Sequence, residues 1–301
     1  MLKILIIGSE GFIGNHCVKY FQQNNWEVYG CDLLDYASGN YNYTKISRLQ
    51  PSFEEVFSVN TYDACINASG NGSVPISIAH PANDFEANCS DVMGILELIR
   101  LKNIKCKYIH ISSAAVYGNP KKLPIAENEY IAPLSPYGWH KYISEILCKE
   151  YHILYSVPVV IVRPFSIYGP GLHKQLFWDL YQKCKPQPDE LMLWGTGKES
   201  RDFIYISDLV EALNIILLNS PMQADIYNLA NGIEITIEDA AAQFISNFNS
   251  SIKLSFNNQQ RPGDPVNWKA DITKLNSLGY NAKYNFAEGI RETTQWLKNL
   301  Q

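Results

Sequence analysis

Hydrophobic and polar positions along the first half of the chain alternate between short β-rich runs and longer amphipathic stretches. Lys3–Ile7 carries an apolar run of the kind found in a central strand of a parallel sheet, which is buried on both faces. Further strands are predicted over Trp26–Cys31, Tyr43–Ser47, Tyr62–Asn67, Lys107–Ser112 and Val157–Val162. Helices are predicted over Phe12–Asn24, Ser52–Ser58, Asn83–Lys102 and Pro136–Tyr155. This alternation predicts an α/β fold, a doubly wound parallel sheet with helices on both faces.

The amino-acid composition changes after Pro164, where proline, glycine and aromatic residues become more frequent. Tyr168–Gly171 and Trp194–Gly197 are examples of this change. We therefore predict a first domain over residues 1–165 and a smaller, irregular α/β domain over residues 166–301. Within the second domain, residues 203–230 are predicted to form a strand, a helix and a further strand, and we expect this segment to fold back onto the first domain.

The composition is that of a globular protein and excludes several classes of function. The chain has 301 residues, with 25 Lys+Arg against 30 Asp+Glu and a formal net charge of -5. Non-specific nucleic-acid binding needs a basic stripe, so no nucleic-acid partner is expected. No apolar run reaches the roughly 18 residues of a membrane span, so no membrane partner is expected either. The first residues show neither a basic leader nor a small-residue cleavage site, and we expect a cytoplasmic location.

The cysteines and histidines give no sign of a metal site. The seven cysteines include no CxxC pair, and the six histidines show no HxxxH or HExxH spacing. Most of the cysteines lie in apolar stretches, where a free thiol behaves as a small hydrophobic group. We therefore expect neither a disulfide framework nor a bound metal, and a reducing compartment.

A glycine-rich loop lies between the first strand and the first helix, over the residues Gly8, Gly11, Phe12, Ile13 and Gly14. Glycine is needed where the backbone turns tightly, where it approaches a pyrophosphate and where a helix packs closely on a strand. The N-terminus of the following helix offers free N–H groups and a partial positive charge to the phosphates. An ordinary strand-to-helix turn would also explain the glycines, but their place directly after a buried strand favours a dinucleotide site.

Asp32 ends the second predicted strand, where it bears on the choice of dinucleotide. A carboxylate at that place can accept hydrogen bonds from the adenosine ribose hydroxyls and would repel a 2′-phosphate. Asp32 therefore favours NAD over NADP as the cofactor, although an aspartate that caps a turn would give the same pattern.

Tyr137 and Lys141 lie four residues apart on the helix predicted to begin after Ser135, so their side chains share one face. A nearby ammonium stabilises a phenolate, and we expect Lys141 to lower the pKa of Tyr137. A tyrosinate can take the proton of a hydroxyl while its carbon gives up hydride. Ser113 follows the fifth strand, at the edge where open α/β sheets bind ligands. A solvated helix face would also explain Tyr137 and Lys141, and a serine that caps a loop would also explain Ser113.

Together these motifs resemble the extended short-chain dehydrogenase/reductase family, in the branch of nucleotide-sugar epimerases, dehydratases and reductases, over nearly the whole chain. Beyond the glycine loop, the motifs are SSAAVYG at 112–118, YGWHK at 137–141, DFEAN at 84–88, RPFSIYGPG at 163–171, GTG at 195–197, RDFIY at 201–205 and RPGD at 261–264. The resemblance implies an NAD-binding Rossmann domain over residues 1–165 and a nucleotide-sugar-binding domain over residues 166–301.

The resemblance also implies roles for individual residues. Tyr137 would be the catalytic acid/base, Lys141 would hold the nicotinamide ribose and tune the tyrosine, and Ser113 would be the third catalytic residue. Tyr137 and Lys141 are also implied to contact the cofactor, together with Ala68, Asn88 and Pro164. Ser113 is also implied to contact the substrate, together with Ser73, Val74, Ser166, Arg201 and Arg261. The two arginines would meet the pyrophosphate, which suits a guanidinium fork, and Ser166 stands where many relatives have asparagine.

The resemblance leaves the reaction open. The dehydratase branch carries an acidic pair directly after the catalytic serine or threonine, and Ala114 and Ala115 stand there instead, which disfavours dehydration. A C4 epimerase acting through a transient 4-keto sugar is the first expectation, and a 4-keto-nucleotide-sugar reductase or dehydrogenase using NAD(P)H is the alternative. A non-catalytic nucleotide-sensing protein is disfavoured because Tyr137 and Lys141 are both present. The resemblance further implies a homodimer that pairs helices 83–102 and 136–155 with their copies.

Overall fold

The structure, a computed structural model, describes residues 1–47, 53–248, 251–259 and 265–300. Its strands are β1 (Lys3–Ile7), β2 (Glu27–Asp32), β3 (Asn42–Lys45), β4 (Ala64–Asn67), β5 (Lys107–Ile111), β6 (Val159–Pro164), β7 (Ser166–Tyr168), β8 (Glu190–Leu193), β9 (Ser200–Tyr205), β10 (Gln223–Leu229), β11 (Glu234–Thr236) and β12 (Lys253–Phe256). Its helices are α1 (Phe12–Gln23), α2 (Glu54–Val59), α3 (Val74–Ala79), α4 (Pro81–Phe85), α5 (Asp91–Lys102), α6 (Pro136–Tyr155), α7 (Gln175–Cys184), α8 (Ile206–Asn219), α9 (Ile237–Phe248), α10 (Thr273–Asn276) and α11 (Phe286–Lys298).

A seven-stranded parallel sheet, in the order β10-β6-β5-β4-β1-β2-β3, forms the centre of the fold. β1 lies between β2 and β4, so that Ile4 pairs with Val28 on one side and with Ala64 on the other. The direction of winding reverses between β1 and β4, and ligands of open α/β sheets bind at the carboxyl ends of the strands beside such a point. The α/β architecture predicted from the sequence is confirmed.

Different helices cover the two faces of the sheet, because successive strand residues point to opposite sides. Ile4 and Ile6 pack into a core formed with α1 and α8, whereas Leu5 and Ile7 pack into a second core formed with α5 and α6. All four side chains are fully buried. Burial on both faces therefore explains the apolar run at the start of the chain.

The second half of the chain adds one strand to the central sheet and forms two small sheets. β10 runs parallel to β6, with Asn228 beside Arg163. The small sheets have the order β11-β9-β7 and β12-β8. α8 follows β9 directly and packs against α1, so the chain from β9 to β10 returns to the central sheet.

The helix predicted over Asn83–Lys102 is interrupted in the structure. It begins with α4, and a π-helical segment, Glu86–Ser90, separates α4 from α5 and buries Asn88. The helix predicted over Pro136–Tyr155 has those bounds, and the Ser135 hydroxyl that caps it accepts a hydrogen bond from Gly138 N–H (3.2 Å). The short helix predicted from Ser52 is found as α2, and Ser52 itself lies outside the described residues.

Among the residues that the structure describes, no helix is long and apolar enough to span a bilayer, and no three His, Cys, Asp or Glu side chains come together as a possible metal site. The seven cysteines are all buried, and none forms a disulfide.

Candidate active site

The glycine loop connects β1 to α1, and its backbone leaves no room for a side chain at Gly8 or Gly14. Gly8 has a φ of +78°, and a Cβ built on it would lie 2.8 Å from Ser69 N. A Cβ on Gly14 would lie 2.0 Å from Gly8 O, so the first turn of α1 packs directly on the loop. No side chain caps α1 at Gly11, and the first N–H groups of this helix remain available to an anion.

Asp32 lies beside this loop. Its Oδ2 accepts a hydrogen bond from Glu10 N–H (2.9 Å), and its Oδ1 accepts one from Leu33 N–H (2.6 Å). Glu10 in turn accepts hydrogen bonds from Tyr41 OH and from Ser38 N–H (3.0 Å), which tie the segment after β2 to the loop. No pattern in the sequence indicates Glu10 and Tyr41, because the two residues are 31 positions apart and come into contact only in the folded chain.

The cofactor residues implied beyond the loop lie along one edge of the sheet. Ala68 N–H donates a hydrogen bond to Ile7 O (2.9 Å), which places Ala68 next to the glycine loop. Phe12 and Ile13 begin α1 and pack, partly buried, on the core beneath it. Pro164 ends β6, two strands beyond β4 in the sheet. Ala68, Phe12 and Ile13 therefore lie around the glycine loop, and Pro164 lies further along the same edge of the sheet.

Asn88 points from the π-helical segment towards the loop that follows β4. Its Nδ2 donates a hydrogen bond to Asn71 O (3.3 Å), whereas its buried Oδ1 has no hydrogen-bond partner in the described part of the chain. A Cβ on Gly70 would lie 2.6 Å from that Oδ1. A buried acceptor without a partner is costly, so this place suits a ligand that donates a hydrogen bond.

Ser113 and Tyr137 lie close together at the carboxyl end of β5. Ser113 Oγ accepts a hydrogen bond from Ala115 N–H (3.1 Å). Burial raises the pKa of Tyr137, and the nearby Ser113 hydroxyl opposes this only in part. The expectation that Lys141 gives Tyr137 a lowered pKa is therefore wrong for this structure, because burial outweighs any stabilisation of the phenolate.

Lys141 is buried behind the pair formed by Ser113 and Tyr137. Its Nζ donates a hydrogen bond to Ile111 O (3.0 Å), at the last residue of β5. Burial lowers the pKa of Lys141 to about 8, and the charge of Asp84 is the main influence in the opposite direction. The amine is therefore still mostly protonated at neutral pH.

A buried ion pair, which the sequence analysis did not find, supports these residues. Glu145 and Arg163 form two contacts, Oε2 to Nη2 (2.6 Å) and Oε1 to Nε (2.9 Å). Ser112 Oγ donates a hydrogen bond to Glu145 Oε1 (2.6 Å), and Arg163 Nη1 donates one to Tyr117 OH (2.9 Å). Tyr117 OH donates to Asn228 Oδ1 (2.7 Å). The network joins α6 to the ends of β5, β6 and β10.

Ser73 and Val74, implied to contact the substrate, lie at the start of α3. Ser73 caps this helix through a hydrogen bond from Ile76 N–H (3.4 Å). Ser77 Oγ of the same helix accepts a hydrogen bond from Tyr137 N–H (3.1 Å). The structure therefore brings the start of α3 next to the start of α6.

Lys174, which the sequence analysis did not single out, reaches the same region. A Cβ on Gly72 would lie 3.2 Å from Lys174 Nζ. Within the described residues no carboxylate forms an ion pair with this amine. A cation beside the loop after β4 suits the anionic part of a substrate, so Lys174 joins the candidate site.

The remaining implied substrate residues belong to the second half of the chain. Ser166 begins β7, which pairs with β9, and β9 carries Arg201. The Arg201 guanidinium lies over the Trp268 ring, 5.7 Å from its centre, and Nη1 donates a hydrogen bond to Val266 O (3.2 Å). Arg261 lies outside the described residues, so its pairing with Arg201 at a pyrophosphate stays a prediction.

Comparison with known proteins gives matches over most of the chain. A family model described as the NAD dependent epimerase/dehydratase family matches residues 4–230. A relative from Methanocaldococcus jannaschii, a putative UDP-glucose 4-epimerase, is 29% identical and covers 98% of this chain and 98% of its own. The UDP-glucose 4-epimerase of Thermotoga maritima, solved with UDP-glucose, is 25% identical with a TM-score of 0.91. The UDP-glucuronic acid 4-epimerase of Bacillus cereus, solved with UDP-glucuronic acid and NAD, is 26% identical with a TM-score of 0.89. Both structures cover 100% of this chain and are themselves covered over 100%.

Proposed function

The chain belongs to the NAD dependent epimerase/dehydratase family, and from this we propose that it is a nucleotide-sugar C4 epimerase that retains NAD. The observation that carries the proposal is the closeness of Ser113 and Tyr137 at the carboxyl end of β5, with Lys141 buried one turn further along α6. UDP-linked hexoses are the first substrates to test, because 4-epimerases of UDP-sugars are among the similar proteins.

The residues at the ends of β1 and β2 fit NAD. Gly8 and Gly14 leave space for a pyrophosphate, the uncapped start of α1 supplies N–H donors, and Asp32 suits the adenosine ribose. Asn88 Oδ1 and the Lys141 amine would hold the nicotinamide end. Bound NAD supplies a hydride acceptor that can later return the hydride.

Tyr137 would handle the proton of the sugar hydroxyl. Tyr137 would first release its own proton to solvent, and its phenolate would then take the hydroxyl proton while Ser113 donates a hydrogen bond to the reacting oxygen. The same tyrosine would give the proton back after the 4-keto sugar has turned over. Because burial raises the pKa of Tyr137, this tyrosine keeps its proton in the protein alone. The charged amine of Lys141 is the group that would favour the phenolate during the reaction.

Two other reactions of the family differ in what they require at this site. Dehydration needs acidic groups after the catalytic serine, and the short turn there consists of Ala114, Ala115 and Val116. A 4-keto-sugar reductase needs only a proton donor, and the neutral phenol of Tyr137 favours it as the second candidate. A reductase would take NAD(P)H from solution, whereas an epimerase keeps its cofactor.

The first experiment therefore measures the cofactor that the purified protein carries. We expect stoichiometric NAD after denaturation and chromatography, followed by interconversion of UDP-glucose and UDP-galactose by the native protein. A matched preparation of Gly14→Val, in which the side chain fills the space against Gly8 O, should carry none. A native protein without nucleotide that reduces a 4-keto-6-deoxy nucleotide sugar with NAD(P)H would replace the epimerase proposal by the reductase.

The division into an NAD-binding part over residues 1–165 and a nucleotide-sugar-binding part over 166–301 is part of the same proposal. The glycine loop and Asp32 lie in the first part, and Arg201 and Arg261 lie in the second. The parallel pairing of β10 with β6 supports a return of residues 203–230 to the first part.

We also propose a homodimer through residues 83–102 and 136–155. Met93, Trp139, Ile146 and Ile153 are exposed apolar side chains of these helices, and such a surface marks an interaction site. Light scattering should give twice the chain mass, and Ile146→Glu should give single chains because it places a charge in the apolar contact. Leu218→Glu, at an exposed leucine of α8, is the control and should remain dimeric. A single-chain mass for the unaltered protein at every concentration would contradict the dimer.

A further inference from the structure

Asp84 is a buried carboxylate that the proposed mechanism does not use. It belongs to α4, and its side chain is fully excluded from solvent. Its Oδ2 contacts His140 Nδ1 (2.6 Å), and its Oδ1 accepts a hydrogen bond from Asn71 Nδ2 (2.7 Å). Burying a carboxylate is costly unless partners compensate its charge, so these partners indicate what Asp84 does.

Asn71 is held from two directions by the interrupted helix. Asp84 accepts a hydrogen bond from its side chain, and Asn88 Nδ2 donates one to its main-chain oxygen (3.3 Å). Asn71 Oδ1 accepts a further hydrogen bond from Ser73 N–H (3.1 Å). The loop over residues 70–73 therefore takes its shape from Asp84 and Asn88, and this loop contains the space in front of Asn88 Oδ1 and the start of α3.

On its other side, Asp84 contacts α6, which carries Tyr137 and Lys141 and is the catalytic helix of the proposed mechanism. His140 directly precedes Lys141 on α6, and Phe85 packs against its ring edge-on, with 5.4 Å between ring centres. The charge of Asp84 favours the protonated form of Lys141 and disfavours the phenolate of Tyr137. One carboxylate therefore acts on both ionisable groups of the catalytic helix.

The other ionisable groups around Lys141 are poor substitutes for this carboxylate. They are Cys89 on the π-helical segment, His110 on β5, and Glu145 and Cys148 on α6. Burial raises the pKa of Cys89 to about 12 and that of Cys148 well above its usual value, so both are neutral thiols. Burial lowers the pKa of His110, which is a neutral imidazole, and Glu145 is already paired with Arg163.

We propose that Asp84 is a positioning residue for the reaction, which ties the loop over residues 70–73 to the catalytic helix and holds a negative charge against His140, the residue before Lys141. The expected effect of Asp84 on turnover rests on the proposed function. The tie and the charge are properties of the chain, so they can be measured without any substrate. In the reaction, the charged amine is the group that would stabilise the Tyr137 phenolate.

The test follows the titration of Lys141 by NMR in lysine-labelled protein as purified, with its resonance identified by its loss in Lys141→Met. Asp84→Asn keeps the shape and removes the charge, and we expect the titration midpoint to fall by roughly one pH unit. His140→Gln keeps the charge, so the midpoint should stay at or above its original value. Both variants should exchange amide hydrogens faster over residues 70–73 and 137–141.

The control is Asp208→Asn in α8, another buried carboxylate, whose oxygens accept hydrogen bonds from Lys283 N–H (3.0 Å) and Tyr284 N–H (3.1 Å). It should leave the Lys141 midpoint unchanged. An unchanged midpoint in Asp84→Asn would overturn the proposal. If Asp84→Asn does not fold, slow exchange over residues 70–73 in His140→Gln and in Asn71→Ala overturns it instead, and faster exchange supports it.

Turnover separates this inference from the proposed function. If the protein interconverts UDP-glucose and UDP-galactose, Asp84→Asn should move the alkaline limb of the kcat profile to lower pH, in step with the Lys141 midpoint. A role confined to folding would lower thermal stability without moving that limb. If no UDP-hexose is converted, the proposed function fails, and the Lys141 titration still decides the role of Asp84.

Discussion

Replacing Tyr137 with phenylalanine is expected to reduce kcat by roughly 10²- to 10⁴-fold, the usual contribution of a positioned acid/base. The substitution keeps the ring and removes the hydroxyl that lies near Ser113. Because the hydroxyl of Tyr137 is not part of the glycine loop, the bound NAD and the fold should be unchanged. The measurement is the rate of UDP-glucose and UDP-galactose interconversion, together with the NAD content of the same preparation.

Tyr151→Phe provides the matched control on the same helix. Its hydroxyl donates a hydrogen bond to Glu97 Oε2 (3.2 Å), away from the pair formed by Ser113 and Tyr137. We expect this variant to keep both its rate and its NAD. Full activity in Tyr137→Phe would remove the tyrosine from the mechanism, and a loss of NAD in that variant would mean that the rate reports cofactor binding.

The second large effect is expected on stability, at the buried pair of Glu145 and Arg163. Arg163→Met leaves the Glu145 carboxylate buried with Ser112 as its remaining hydrogen-bond donor, and we expect the free energy of unfolding to fall by roughly 3–5 kcal/mol. Burial alone would lower the pKa of Arg163, but its hydrogen bonds with Glu145 outweigh this and raise it. Urea unfolding at neutral pH measures the change.

Two comparisons make this prediction specific. Arg100→Met breaks the pair with Glu97, which has the same N–O distance of 2.6 Å but is partly exposed, and should cost about 1 kcal/mol or less. The double variant Glu145→Met with Arg163→Met should recover much of the lost stability, because no unpaired charge stays buried. Equal losses at Arg100 and Arg163 would show that burial does not decide the strength of this pair.

Much of the fold was predictable because its signals are local. The apolar run of Lys3–Ile7, the capping serine at position 135 and the glycine loop each depend on a few consecutive residues, and the structure has the corresponding strand, helix and turn. The interruption at Glu86–Ser90 was not predictable, because apolar residues continue at helical spacing through α5 and periodicity does not register one additional residue in a turn.

The candidate site divides in the same way. The short motifs around Ser113 and Tyr137 pointed to a pair, and the structure brings the two side chains close together. No local pattern indicated Asp84 as a partner of His140, or Glu145 as a partner of Arg163. Both pairs join separate elements of the chain, and a charged residue within an apolar stretch indicates a buried partner without indicating which one.

The amino-acid sequence alone predicted the order of strands and helices, the glycine loop and residue types suited to proton and hydride transfer, since these follow from periodicity and from the chemistry of neighbouring side chains. The ionisation of those residues became apparent only in the folded chain. The pKa of Tyr137 is raised and that of Lys141 is lowered to about 8 because the packing of α6 on β5 and α4 removes water from both groups and brings Asp84 close to them. The burial of these two side chains depends on residues distant in sequence, so it cannot be predicted from a local pattern.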